Sequence, residues 1–140
     1  YGAPGDQPTT ELFNKNGGGA PYKTPPQDAC ASGCSYEFTG QIRVTDVNTA
    51  KYELSMVVAG LTQEACELIN AIQKNGWSSV PTGGALTLLR FDGTNYGDTG
   101  GGNAFSLTGA GNEFVGLKSF CYQESGGGQR YIFVHVLHGR

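Results

Sequence analysis

The most regular pattern of apolar and polar residues lies between Lys51 and Trp77. Its first part alternates apolar with more polar positions, which is typical of a strand with one buried face. The apolar positions of this strand are Tyr52, Leu54, Met56 and Val58. Gly60 follows them, and because glycine commonly interrupts regular structure we expect the strand to end there.

A helix of about three turns is predicted directly after this strand. Apolar residues recur at helical spacing and define the face expected to be buried. These residues are Leu61, Ala65, Leu68, Ile69 and Ile72. Thr62 can cap the start of the helix, and Glu64 suits the positive end of the helix dipole. Lys74 falls in the last turn, and the pair Asn75-Gly76 is expected to provide the left-handed stop.

Further strands are predicted on both sides of this unit. Residues 36–47 contain an alternating segment around Ile42 and Val44, and a short turn at 46–50 joins it to the next strand. The two strands are therefore expected to form an antiparallel hairpin. Strands are also predicted at 85–91 and 130–137, with a turn at 81–84 before the first of them. Residues 104–110 fit a short strand or a loop, and the segment 113–122 fits a short helix or a strand equally well. The last strand is apolar on both faces, which favours a central place in the sheet.

These elements predict one α+β domain, in which a mostly antiparallel sheet of four or five strands packs against the helix. A length of 140 residues suits a single domain spanning 1–140. Residues 1–35 contain five of the six prolines and are interpreted as an extended N-terminal loop region, with the strand-helix-sheet core at 36–140. A helix of about three turns covers only part of such a sheet, so a further covering element is expected.

The composition narrows the function classes. The net charge is −3 and charged residues make up 15% of the chain, so no basic surface points to nucleic acid. The sequence contains no run of about 18 apolar residues, so no membrane-spanning helix is predicted. The 23 glycines cluster in short runs, which are typical of loops.

Four cysteines, Cys30, Cys34, Cys66 and Cys121, allow three pairings. Their even number suits a secreted protein with disulfides, and the absence of a CxxC motif disfavours zinc. Cys30 and Cys34 enclose only Ala-Ser-Gly, and we expect them to bond to each other if Gly33 takes an unusual backbone angle.

A second disulfide is expected between Cys66 and Cys121. Cys66 lies about 110° around the helix from the centre of the predicted apolar face, so its side chain can reach a neighbouring segment. Cys121 precedes the glycine-rich segment that leads into the last strand, and that segment can bring it beside the helix. Two free buried thiols are the alternative.

No catalytic motif is found, because neither a nucleophile elbow nor a P-loop is present. His135 is interpreted as a strand residue and Glu64 and Glu67 as solvated surface, so the chain is expected not to be an enzyme. The loop at 92–103 offers hard oxygen ligands for calcium, without the spacing or final Glu of an EF-hand. The candidate calcium ligands are Asp92, Asn95 and Asp98. A plain glycine-rich surface loop is the alternative, and no other cofactor is expected.

The run FTGQIRVTDVNTAKYELSMVVAGLTQEACELINAI resembles the globular domain of type IV pilins, most closely the type IVb and conjugative-pilus branch. In that family a strand, a turn, a second strand and a short cysteine-bearing helix recur in this order. Cys121 resembles the family's second cysteine, which precedes the closing strand, here YIFVHVL. The stretch ELFNKNGGGAPYKTPP resembles the loop after the long N-terminal pilin helix, so the match covers residues 11–137. The pair Cys30 and Cys34 is not part of the shared pattern.

The resemblance implies a pilin-like fold and a structural subunit of an extracellular, cell-surface type IV pilus, serving adhesion, motility, conjugation or DNA uptake. It also implies a homopolymeric filament assembled through an N-terminal hydrophobic helix that this sequence lacks, with a host surface or other pilins as further partners. A secretion-system pseudopilin is one alternative. A secreted or pilus-tip adhesin that binds a sugar or a host protein is the other.

Overall fold

A computed structural model gives the architecture of the chain and describes residues 23–47, 53–84, 105–106, 113–126 and 130–138. Within these ranges the fold is α+β, with a single α-helix and an open sheet of six strands. The elements are a 3₁₀ turn at Gln27–Ala29, β1 (Tyr36–Arg43), β2 (Glu53–Leu61), α1 (Gln63–Gln73), β3 (Thr82–Gly83), β4 (Phe105–Ser106), β5 (Ser119–Glu124) and β6 (Tyr131–His138).

The six strands lie in the order β3-β5-β6-β2-β1-β4. Three antiparallel ladders join the four central strands. The two outermost strands, β3 and β4, pair in parallel with β5 and β1 through two residues each. The sheet is therefore mixed and six-stranded, whereas the sequence predicted a mostly antiparallel sheet of four or five strands. A segment of two paired residues is too short to show a periodic pattern. For that reason β3 lies where a turn was expected, whereas β4 lies in the segment 104–110, which was open between a short strand and a loop.

The antiparallel hairpin of β1 and β2 is confirmed. Tyr36 lies opposite Val58 and Ile42 lies opposite Glu53, with a shift in register after Thr39. Strand β6 lies between β5 and β2, which is the central position that its apolar sequence predicted.

Gly60 does not end β2, as expected from sequence, but produces an irregularity within it. The strand continues to Leu61, and its register with β6 shifts between Ala59 and Leu61. Gly60 has a φ of 86°, which is favourable only for glycine, and a Cβ there would lie 3.1 Å from the Ser32 carbonyl oxygen. The Ala31 N–H donates to the Gly60 carbonyl at 2.9 Å. The glycine thus lets the backbone at Ala31 and Ser32 approach the end of β2.

The burial of β2 differs from the expected pattern, although Val58 is buried as predicted. Glu53, Ser55 and Val57 are buried, whereas Leu54 and Met56 are only partly buried. The first set shares its face with the main core cluster. That cluster consists of Ile42, Val44, Val47, Val57, Phe114, Phe120, Tyr122, Ile132, Val134 and Val136. The alternating pattern of β2 correctly assigns its residues to two faces of the sheet. The face with more apolar residues, however, is less buried than the face of Glu53, Ser55 and Val57.

The ambiguous segment 113–122 consists of a turn followed by the first part of β5. Phe114 in the turn is fully buried, and its ring lies 4.8 Å from that of Phe120 and 5.7 Å from that of Tyr122. The turn therefore covers the core face of the strand that follows it. The strand predicted at 85–91 lies outside the described residues.

Candidate functional site

Helix α1 begins as predicted and ends slightly earlier than expected. Thr62 caps its start, because the Ala65 N–H donates to Thr62 Oγ1 at 3.2 Å. The left-handed stop falls on Lys74, which has a φ of 57°, rather than on the pair Asn75-Gly76. The Lys74 N–H donates to the Ala71 carbonyl at 3.1 Å and closes the last turn.

The side of α1 that faces the sheet is not the predicted one. Cys66 and Asn70 are the buried residues of the helix, and Ala65 and Ile69 are partly buried. Leu68 and Ile72, which were expected on the buried face with Leu61, Ala65 and Ile69, are 62% and 67% exposed. The helix is thus rotated by roughly a third of a turn from the position that would bury its apolar stripe. Specific bonds to β5 fix this rotation.

The first of these bonds is the disulfide between Cys66 and Cys121, whose Cα atoms lie 5.3 Å apart. A second disulfide joins Cys30 and Cys34, with a Cα separation of 5.6 Å and a φ of 38° at Gly33. The four cysteines are therefore paired as expected from sequence, and none is free. Two disulfides indicate an oxidising, non-cytoplasmic environment.

Asn70 binds the backbone of the same residue that holds the disulfide. Its Nδ2 donates to the Cys121 carbonyl at 2.8 Å, and the Cys121 N–H donates to Asn70 Oδ1 at 2.8 Å. A neighbouring strand would satisfy the two backbone groups in the same way. Because Asn70 is only 6% exposed, these hydrogen bonds are shielded from water.

Similar contacts cover the rest of the outer edge of β5. Asn75 Nδ2 donates to the Ser119 carbonyl at 3.3 Å. Further along, the Gln123 N–H donates to the Pro81 carbonyl and the Ser125 N–H to the Gly83 carbonyl, both at 2.8 Å. An uncovered strand edge invites pairing with another chain. Helix α1 and the segment 75–83 close this edge together.

Asn70 is the residue that sequence reasoning missed. Its position four residues after Cys66 could have identified it, because residues one turn apart lie on the same side of a helix. A polar side chain next to a buried cysteine needs a hydrogen-bond partner, and backbone at a strand edge can provide it.

A carboxylate also lies within the core. Glu53 is fully buried, and its Oε2 accepts a hydrogen bond from the Val44 N–H at 2.9 Å, while Oε1 has no partner. Burial raises the pKa of Glu53, although the Val44 N–H and the charge of Arg43 act in the opposite direction. Ionisation of Glu53 is therefore less favourable in the folded chain than in water.

We expect Glu53→Gln to change how stability depends on pH. The pKa of Glu53 is raised above its ordinary value of 4.5 in the folded chain, so its stabilising contribution is complete below that value and is lost as pH rises through the folded pKa. The variant cannot ionise, so its free energy of unfolding should rise relative to wild type between acidic and neutral pH. Urea unfolding at several pH values measures this difference. Glu113→Gln, at an exposed position, is the control. A difference in free energy of unfolding between Glu53→Gln and wild type that stays constant with pH would contradict the prediction.

The other candidate residues do not form a reactive cluster. His135 lies in β6, and its ring stacks on that of Phe133 at a centroid distance of 6.3 Å. Glu64 and Glu67 are exposed on α1. Among the described residues, no group of three or more His, Cys, Asp or Glu side chains could hold a metal ion. The candidate calcium ligands Asp92, Asn95 and Asp98 lie outside the described residues.

An apolar surface remains partly exposed on the sheet face that carries α1. We call it the open face and define it by Phe38, Leu54, Met56, His135 and Leu137. Phe38, Met56 and His135 are ladder partners on adjacent strands and so share one side of the sheet. Leu137 is 47% exposed and the others are partly buried. The outward part of the apolar stripe of α1, Leu68 and Ile72, adds two exposed side chains.

No family model, curated protein or solved structure matches the chain. Within the described residues, no helix is both long and apolar enough to cross a membrane.

Proposed function

We propose that the chain is the pilin-like globular domain of a structural subunit of an extracellular type IV pilus. The order of elements supports this. A strand, a turn, a second strand and a cysteine-bearing helix come first, and a second cysteine then precedes the closing strand β6. Pilins, which the sequence resembles, have the same order.

The open face is the observation that carries the proposal. Helix α1 contacts β5 and β6, so the same side of β2 and β1 carries no helix in the described part of the chain. Neighbouring strands lie about 4.8 Å apart, and packed helices lie about 8–10 Å apart. The width of β2 and β1 therefore suits one further helix beside α1. An N-terminal pilin-type helix, packed with its apolar side on the open face, would fill this space.

The disulfides fit an extracellular filament as well. The Cys66–Cys121 bond spans 55 residues and ties the C-terminal half of the sheet to α1. Cross-links of this kind limit local opening, which otherwise exposes a chain to proteolysis. A secretion-system pseudopilin would use the same contacts in a shorter filament, and a tip adhesin would use them at one end only.

Immunogold electron microscopy of intact cells of the source organism tests the proposal, with antibodies raised against this domain. Labelling along the length of surface filaments is the expected result. Labelling confined to filament tips would favour the adhesin, and labelling confined to the cell envelope would favour the pseudopilin. Either pattern would contradict a major pilin.

We expect the double variant Leu68→Gln and Ile72→Gln to fold normally but to assemble poorly. Both side chains are largely exposed, so the free energy of unfolding should change by no more than about 0.5 kcal/mol. Each apolar side chain buried at a subunit contact contributes about 1.5–3 kcal/mol, so the amount of sheared surface filament should fall roughly tenfold or more. Glu64→Gln, also exposed on α1, is the matched control. Undiminished filaments in the double variant would exclude this stripe from assembly.

A further inference from the structure

A groove of about 410 Å³ lies on another side of α1, between the helix and the segment 76–80. Its volume falls in the range of small-molecule sites. The helix side is formed by Glu67, Asn70, Ala71 and Lys74, and the opposite side by Gly76, Trp77, Ser78, Ser79 and Val80. The groove contains the only tryptophan of the chain.

Both sides of the groove are attached to β5. The Cys66–Cys121 disulfide and the two hydrogen bonds of Asn70 hold the helix side. The hydrogen bond from the Gln123 N–H to the Pro81 carbonyl, 2.8 Å long, holds the other side. A site whose walls are already fixed loses little conformational entropy when a ligand binds.

The aromatic ring of the groove is held in place as well. Trp77 is partly buried, and its ring meets the fully buried ring of Phe114 edge-on, with centroids 5.7 Å apart. The indole therefore has support from the core and still lines the groove. Such a ring offers an apolar surface together with an N–H donor.

Hydrogen-bonding groups surround the indole. Lys74 is exposed and donates only, Glu67 is exposed and accepts, and the hydroxyl groups of Ser78 and Ser79 do both. Gln63 Nε2 donates to Glu67 Oε1 at 2.8 Å and thereby orients the carboxylate. The two formal charges of the lining cancel, so the groove selects for neither a strong anion nor a strong cation.

We propose that this groove binds a short neutral carbohydrate. A sugar ring has an apolar C–H face, which stacks on the Trp77 indole, and hydroxyl groups, which bond to Glu67 and Lys74. An acidic sugar would meet the Glu67 carboxylate, whereas neutral hydroxyl groups can donate to it and accept from Lys74. The site does not depend on the pilus assignment, because it uses only residues of α1 and the segment that follows.

Trp77 makes a direct test possible. Because it is the only tryptophan, its fluorescence and its single indole N–H resonance report on the groove alone. The oxidised protein is titrated with lactose, N-acetyllactosamine, diacetylchitobiose and maltotriose, and with sialyllactose as the acidic probe. A saturable shift of the indole resonance by at least one neutral sugar, at concentrations up to about 10 mM, is the expected result.

Variants localise the binding. Lys74 has a left-handed backbone, so Lys74→Gly removes the ammonium group while retaining the conformation that ends α1. Lys74→Gly and Glu67→Gln should each weaken sugar binding about fivefold, the loss of one hydrogen bond. Lys118→Ala, at an exposed position outside the groove, should leave it unchanged. No response to any neutral probe, a response to sialyllactose alone, or wild-type sugar affinity in both groove variants would overturn the proposal.

Discussion

Replacing Cys66 and Cys121 by alanine is expected to lower the free energy of unfolding by about 4 kcal/mol. The two cysteines are 55 residues apart, and the chain-entropy argument gives this value for a loop of that length. For a domain of this size the thermal midpoint should fall by roughly 10–20 °C. Alanine is preferred to serine because both positions are fully buried, where a hydroxyl group would need a partner.

The other disulfide provides the matched control. Cys30 and Cys34 are only four residues apart, so their replacement by alanine should cost about 2 kcal/mol by the same argument. Calorimetry of the two double variants and the wild type under oxidising conditions compares them directly. Equal losses would show that stabilisation does not follow loop length, and no measurable loss without the Cys66–Cys121 bond would show that this cross-link does not stabilise the fold.

Local signals in the sequence predicted the parts of the fold that local interactions determine. The Thr62 cap, the length of α1 and the hairpin of β1 and β2 depend on residues that are neighbours in the chain. The central position of β6 followed from apolar residues on both of its faces. The cysteine pairing followed from one short spacing and from the position of Cys66 at the edge of a stripe.

The rotation of α1 could not be predicted in the same way. An apolar stripe indicates the buried face when nonspecific burial decides the packing. Here a covalent bond at Cys66 and two buried hydrogen bonds at Asn70 decide it. Leu68 and Ile72 are left exposed as a consequence. The number of strands was underestimated for a related reason, since β3 and β4 depend on pairing between distant parts of the chain.

The rotation also explains how one helix can present two different surfaces. With Cys66 and Asn70 turned towards β5, the apolar stripe lies on one flank of α1 and Glu67 and Lys74 lie on another. The apolar flank, with Leu68 and Ile72, is exposed, and there we propose a contact with a neighbouring subunit. The polar flank lines the groove with Trp77, where we propose a carbohydrate. Burying the apolar stripe completely would remove the first surface and turn the polar residues away from the second.

The bonds of Asn70 should therefore be essential for the position of α1. Asn70→Ala is expected to lower the free energy of unfolding by about 2–4 kcal/mol, because the Cys121 N–H and carbonyl would be left buried without partners. The disulfide still keeps the helix near β5 in this variant. Hydrogen exchange of the Cys121 amide should nevertheless become faster, since its acceptor is gone.

Two comparisons separate this effect from a general loss of packing. Asn75→Ala removes two longer, partly buried hydrogen bonds, from Asn75 Nδ2 to the Ser119 carbonyl and to Asn70 Oδ1. Both bonds between Asn70 and Cys121 remain in this variant, so it should cost only about 1 kcal/mol. Asn70→Asp retains an acceptor for the Cys121 N–H, but at neutral pH it places a carboxylate against the Cys121 carbonyl. Its stability should improve as pH falls, because a protonated carboxyl group can donate to that carbonyl again. A loss below about 1 kcal/mol for Asn70→Ala, with the Cys121 amide still protected, would mean that the disulfide alone fixes the helix.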